Sequence, residues 1–84
     1  MTAAEKLRAA GLDDVIIFEN YSYDDALVGV TEDGRAVYDY DKMVDWLVQE
    51  TGWDLEEATE WIEYNTIRAL PYMGPEGPLI MYSL

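Results

Sequence analysis

The segment from Trp53 to Tyr72 constrains the fold of this chain most, because its predicted helix has identifiable limits at both ends. Asp54 occupies an N-cap position and Glu57 follows three residues later, which is the spacing of a capping box. Pro71 lacks a backbone N–H and disfavours helical geometry at Leu70. The sequence therefore predicts a helix that begins after Asp54 and ends at or before Leu70.

Apolar and acidic side chains are segregated on this predicted helix. Steps of three and four residues define an apolar stripe formed by Leu55, Ala58, Ile62, Asn65 and Ala69. We expect Asn65 to be buried, with its amide bonded to backbone groups of the loop after Pro71, because an unpaired buried amide is costly. A contact with a ligand or partner is the alternative interpretation. Arg68 is expected to pair internally with Glu63, with Glu60 or with a carboxylate of the C-terminal tail, which begins at Pro71. The alternative is that Arg68 contacts a partner.

The N-terminal third predicts one helix and one strand. Thr2 and Glu5 have capping-box spacing for a short helix, Ala3–Ala10, and Gly11 provides its left-handed terminator. The β-branched and aromatic run Val15–Phe18 predicts a strand that is buried on both faces.

The clearest β feature is a hairpin between Ala26 and Tyr40. Asp33-Gly34 is a favoured pair for a two-residue type I′ turn. That turn predicts the following cross-strand pairs: Glu32 with Arg35, Val30 with Val37, Gly29 with Tyr38 and Leu27 with Tyr40.

The remaining elements complete an α+β domain that spans residues 1–84. Asp41 is predicted to cap a helix over Lys42–Glu50, and Leu79–Tyr82 to form a further strand after Pro78. The order α-β-β-β-α-α-(β) predicts helices packed on one face of a small antiparallel sheet with three or four strands. A helix-turn-helix DNA reader is excluded for the two adjacent helices, because the second one carries glutamates where a reading helix needs donors and positive charge.

Charge limits the kinds of partner that this chain can bind. Its net charge is −13, so phosphates of nucleic acids and anionic membrane surfaces would repel it, and a basic protein is the expected partner. The chain has no cysteine, no apolar run long enough to span a membrane and no signal-peptide pattern, and we expect a cytoplasmic protein.

The residue types needed for most catalysis are missing. Without histidine or cysteine, the chain lacks the usual general base, thiol nucleophile and soft metal ligands. The carboxylate pairs that remain are Asp24-Asp25, Asp39/Asp41 and Glu56/Glu60. Asp39-Tyr40-Asp41 is only a fragment of a calcium loop. We therefore predict no enzyme activity, and no catalytic residue, cofactor site or metal site is assigned.

The acidic surface is the predicted partner-binding site. Successive helical turns place its carboxylates about 5–6 Å apart, comparable to the phosphate spacing along a nucleic-acid strand. The predicted site residues are Glu56, Glu60 and Glu63, supported by Asp45 and Glu50. A surface that serves only solubility is the alternative interpretation.

A resemblance adds a functional class. The stretch Tyr38–Gly74 resembles a family of small acidic proteins from bacteria, phages and mobile elements, most closely at Glu56-Glu57-Ala58 and over Tyr64–Tyr72. The family itself implies no activity and no functional residues, but small acidic phage proteins as a class include inhibitors of host defence, such as anti-CRISPR proteins and DNA mimics. By this class analogy we expect an inhibitor that occludes a basic nucleic-acid-binding host protein. The alternative function is a self-associating structural domain, in which an edge strand or the tail pairs with a second copy in a homodimer.

Overall fold

The computed structural model describes all residues from Met1 to Leu84, which form an α+β domain. Its helices are α1 (Ala3–Ala9), α2 (Tyr40–Thr51) and α3 (Leu55–Trp61), and its strands are β1 (Leu27–Val30), β2 (Ala36–Asp39) and β3 (Leu79–Met81). A π-helical segment, Ile62–Ile67, continues α3. Short 3-10 turns occupy Asp24–Ala26 and Leu70–Met73. The predicted fold class is confirmed.

The sheet is mixed, so the prediction of a wholly antiparallel sheet is wrong. Its strand order is β1-β2-β3; β1 runs antiparallel to β2, and β3 runs parallel to β2. The parallel pairing follows from connectivity. The helices α2 and α3, with the π-helical segment, lie between β2 and β3 and carry the chain back to the end at which β2 begins. The predicted strand after Pro78 is confirmed, over Leu79–Met81.

The run Val15–Phe18 does not form the predicted strand. Its backbone has no strand partner, and the Phe18 N–H instead donates to the Tyr38 hydroxyl at 3.2 Å. Phe18 alone in this run is buried, with its ring 4.7 Å from that of Tyr38. The apolar side chains of this run cover the core although their backbone forms a loop. A preference for β structure in the sequence does not distinguish such a loop from a paired strand.

The hairpin register differs from the prediction by one residue near the turn. The Gly34 N–H bonds to the Thr31 carbonyl, and the Thr31 N–H bonds to the Arg35 carbonyl, so three residues form the loop instead of two. Gly34 has φ 87° whereas Asp33 does not have positive φ, which excludes type I′ and fits a three-residue loop with a left-handed glycine.

The pairs in the ladder are therefore Val30 with Ala36, Gly29 with Val37 and Leu27 with Tyr38. An irregularity between Leu27 and Gly29 leaves Val28 as an additional residue in β1, as in a β-bulge. The predicted pair of Gly29 with Tyr38 is therefore wrong, and the Tyr38 side chain is fully buried in the core.

The helix starts and stops mostly follow the sequence signals. Thr2 and Glu5 form the complete capping box of α1, and Asp54 caps α3 by accepting from the Glu57 N–H at 2.9 Å. The cap of α2 is a correction: Asp39 accepts from the Lys42 N–H at 3.1 Å, so the helix begins at Tyr40 and Asp41 lies inside its first turn.

The core lies where the three helices meet the sheet. Its largest fully buried side chains are Tyr23, Tyr38, Met43, Leu47 and Ile62. Two of these are tyrosines whose hydroxyls need partners, and both have one. None of the helices has both the length and the apolar character that a membrane crossing would require.

Candidate functional site

The π-helical segment decides which side chains of the long helical region face solvent. A π turn contains about one residue more than an α turn, so positions after Ile62 rotate relative to a regular helix. Ala58 and Ile62 are buried as predicted, but the next inward position passes from Asn65 to Thr66. The expectation that Asn65 is buried is wrong: it is exposed, and its side-chain amide donates to the Trp61 carbonyl at 3.1 Å.

The exposed face of this region carries a groove of about 290 Å³. The groove is lined by three aromatic and three polar side chains, namely Trp53, Trp61, Tyr64, Glu57, Glu60 and Asn65. From Glu57 to Asn65 these residues follow helical steps of three and four, so they form one continuous stripe on the solvent side. No cation lines the groove.

The two tryptophans of the groove are held from behind by Tyr21. Its ring lies 6.2 Å from that of Trp53 and 5.0 Å from that of Trp61, both in edge-to-face geometry. Tyr21 also lies 6.3 Å from Trp46 of α2. Such aromatic contacts stabilise specific ring orientations. The groove wall is therefore braced by contacts that reach α2.

The third aromatic ring, Tyr64, is 64% exposed at the groove rim. The Arg68 guanidinium lies over this ring, 5.5 Å from its centroid. The predicted pairing of Arg68 with a carboxylate is therefore replaced by a cation–π contact. Arg68 does not line the groove, but its guanidinium occupies one face of a ring that does.

The predicted site residues are all exposed, but they do not form one continuous stripe. Glu60 lines the groove, whereas Glu56 does not. Glu63 lies within the π-helical segment and accepts a hydrogen bond from the Tyr40 hydroxyl at 3.4 Å. The structure thus places Glu60 at the groove and Glu63 next to Tyr40, at the start of α2.

The two supporting carboxylates of α2 are separated from each other. Asp45 and Glu50 are five residues apart, which on an α-helix is a rotation of about 140°. Asp45 lines a different depression, with Asp25, Lys42, Trp46 and Gln49. These two residues therefore belong to different parts of the surface, and Asp45 has the Lys42 cation beside it.

Tyr40 links the acidic face to the C-terminal strand. Its ring lies 5.0 Å from that of Tyr82, and its hydroxyl reaches Glu63. Partial burial, followed by the negative charge of Glu63, raises the pKa of Tyr40 above its ordinary value. The phenol therefore stays neutral and keeps donating to the carboxylate.

Sequence reasoning missed Glu57, Trp53, Trp61, Tyr64 and Asn65 as groove residues. Glu57 was assigned to a capping box, but its carboxylate does not return to the backbone of Asp54. The available signal for the groove was the recurrence of Trp, Glu and Tyr at steps of three and four residues. The apolar stripe through Asn65 predicts a different face of the same helix, and that prediction took precedence.

The structure contains no group of three or more acidic side chains placed to hold a metal ion. Comparison with protein-family models, with curated protein sequences and with solved structures found no match to this chain. The site is therefore described from its own residues: an acidic face, formed by Glu56, Glu57 and Glu60 of α3 and Glu63 of the π-helical segment, with an aromatic groove along it.

Proposed function

We propose that this chain is a non-enzymatic interaction protein that binds a basic, nucleic-acid-binding host protein through the acidic face of α3. Its resemblance to small acidic phage and mobile-element proteins suggests an inhibitor of the anti-CRISPR or DNA-mimic type. Inhibition would be steric and electrostatic, because the bound acidic face would occupy the groove that the nucleic acid needs.

The observation that carries this proposal is the combination of exposed carboxylates with aromatic side chains on one helical face. Glu56 and Glu60 lie one turn apart on α3, and Glu60 borders a groove that contains two tryptophans and a tyrosine. Tryptophan and tyrosine dominate the binding energy of many interfaces, while charges determine orientation and association rate. A face that serves solubility alone does not need exposed aromatic rings.

The test compares two charge-reversed variants that have the same net charge. Glu60→Lys with Glu63→Lys changes the acidic face, whereas Asp13→Lys with Asp14→Lys changes exposed residues of the loop after α1. Each tagged protein is used to capture partners from a host lysate, with elution by a salt gradient and identification by mass spectrometry.

We expect the wild type and the loop variant to retain the same basic nucleic-acid-binding protein, and the α3 variant to lose it. Circular dichroism of both variants verifies folding, and nuclease treatment of the lysate removes bridging nucleic acid. Equal loss by both variants would mean that binding follows net charge, and unchanged binding by the α3 variant would reject the proposed surface.

Self-association is a second candidate function, favoured by the position of β3. This strand is an edge of the sheet, and Met81 and the following Tyr82 are 42% and 58% exposed. An unpaired strand edge can pair with a second copy. Sedimentation at two protein concentrations tests this, and a Met81→Lys variant is expected to reduce any dimer; a strict monomer would exclude it.

A further inference from the structure

We propose that the groove beside α3 binds an arginine side chain of the basic partner. The inference rests on the proposed function and specifies the partner group that this surface recognises. Charge complementarity and the ring contacts of the groove favour this occupant.

The polar side chains of the groove are all able to accept hydrogen bonds. Glu57 and Glu60 provide carboxylates, and both residues are exposed. Asn65 uses its amide nitrogen on the Trp61 carbonyl, which leaves its amide oxygen as a third acceptor. A group with several N–H donors and a positive charge complements this set, whereas an anion or an acceptor-rich group would be repelled.

The aromatic side chains select a flat cation. A guanidinium carries five donors in one plane, is weakly hydrated and stacks on aromatic faces, while an ammonium is a compact and strongly hydrated charge. Trp53 and Trp61 lie with ring centroids 6.4 Å apart and an interplanar angle of 38°. Tryptophan is the best aromatic partner for a cation. The groove therefore fits arginine better than lysine.

The chain itself contains one example of this contact. The Arg68 guanidinium lies over the Tyr64 ring, 5.5 Å from its centroid, at the rim of the groove. An incoming arginine would meet Arg68 as a like charge and as a competitor for the Tyr64 face. Removing the charge of Arg68 should therefore strengthen binding of a second guanidinium, because it removes a like charge and frees the Tyr64 face. Loss of the like charge alone would help any cation, so the comparison of arginine with lysine tests the contribution of the ring.

The test uses a small probe, so that it does not depend on a partner protein. The ¹⁵N-labelled protein is titrated with the peptide acetyl-Gly-Arg-Gly-amide, and the indole N–H signals of Trp46, Trp53 and Trp61 are followed by NMR. The matched probe contains citrulline in place of arginine, which keeps the shape and removes the charge. A lysine peptide compares the two cations at constant ionic strength.

We expect saturable shifts of Trp53, Trp61 and the Asn65 side-chain amide with the arginine peptide, smaller effects with lysine and none with citrulline. Trp46, which does not line the groove, should not follow the same curve. Glu57→Gln with Glu60→Gln should weaken binding about fivefold relative to Glu56→Gln with Glu63→Gln, which removes the same charge outside the groove. Arg68→Gln should strengthen binding about twofold.

Equal shifts with citrulline, no saturable shift, or equal weakening by both glutamine pairs would overturn the inference. If the arginine peptide fails to bind while the charge-reversed α3 variant still loses its partner, the groove is not the arginine site and the proposed function stands. If the peptide binds as expected but the charge-reversed variant keeps its partner, the groove assignment stands and the proposed function is rejected.

Discussion

The Tyr23 hydroxyl lies 2.5 Å from the Thr66 hydroxyl, and this buried hydrogen bond joins the loop before β1 to the π-helical segment. Tyr23 has a left-handed backbone, with φ 48°, and its ring is fully buried. A non-glycine residue in this conformation is held there by its surroundings. The bond therefore links a loop residue with a left-handed backbone to the π-helical segment that continues α3.

We expect Thr66→Val to destabilise the protein by about 1–3 kcal/mol, because it removes the partner of a buried phenol. The neighbouring change Asn65→Ala should stay within about 0.5 kcal/mol, because Asn65 is exposed. Urea denaturation of both variants measures the difference. Tyr23→Phe combined with Thr66→Val should cost less than the sum of the single changes. Equal costs at positions 65 and 66 would argue against the π-helical register.

The two acidic residues at the start of α2 should differ in their effect on stability. Asp39→Ala removes the observed N-cap and is expected to cost about 1 kcal/mol, whereas Asp41→Ala should have a smaller effect. Asp39→Asn retains an acceptor and should restore most of the loss. Thermal unfolding of the three variants measures these effects. A larger loss of stability in Asp41→Ala than in Asp39→Ala would contradict Asp39 as the N-cap and support Asp41 instead.

Alkaline pH should destabilise the fold through its two buried tyrosines. Burial raises the pKa of Tyr23 and of Tyr38 from 10.0 to about 12. The folded state therefore holds these protons more tightly than the unfolded state. Their contribution to stability is complete below pH 10, and it is lost as the pH rises from about 10 to about 12.

Urea denaturation at pH values across this range, followed by circular dichroism, measures the loss. Tyr38→Phe should reduce the loss of stability at alkaline pH. Tyr72→Phe should leave that loss unchanged, because Tyr72 is 91% exposed. Stability that does not fall above pH 10, or that falls equally in the two variants, would contradict this assignment.

Binding to a basic partner should weaken steeply with salt if the acidic face is the interface. Raising the salt from ~0.05 M to ~0.5 M shortens the Debye length several-fold and screens exposed charges. We expect the association rate to fall more than the dissociation rate rises, because rim charges act mainly on encounter. Surface plasmon resonance measures both rates for a captured partner. Rates insensitive to salt would contradict an interface that depends on the acidic face.

Local signals predicted the ends of helices well and the pairing of strands poorly. The Thr2 and Asp54 caps act through backbone groups within three residues, so the sequence alone suffices to locate them. The role of Val15–Phe18 depended on whether a neighbouring strand was available, and the Tyr38 hydroxyl took the Phe18 N–H instead. The hairpin register changed for the same kind of reason, since a three-residue loop competes closely with a two-residue turn.

By itself the sequence determined the α+β class, the negative charge, the caps of α1 and α3 and the exposure of Glu56, Glu60 and Glu63, because these follow from composition and short-range spacing. Only the tertiary structure decided the mixed sheet and the groove. Burial of Thr66 against Tyr23 accompanies the wider helical turn that moves Asn65 outward, and contacts of Tyr21 position Trp53 and Trp61. Those contacts join residues far apart in the chain, and no periodicity within one segment contains them.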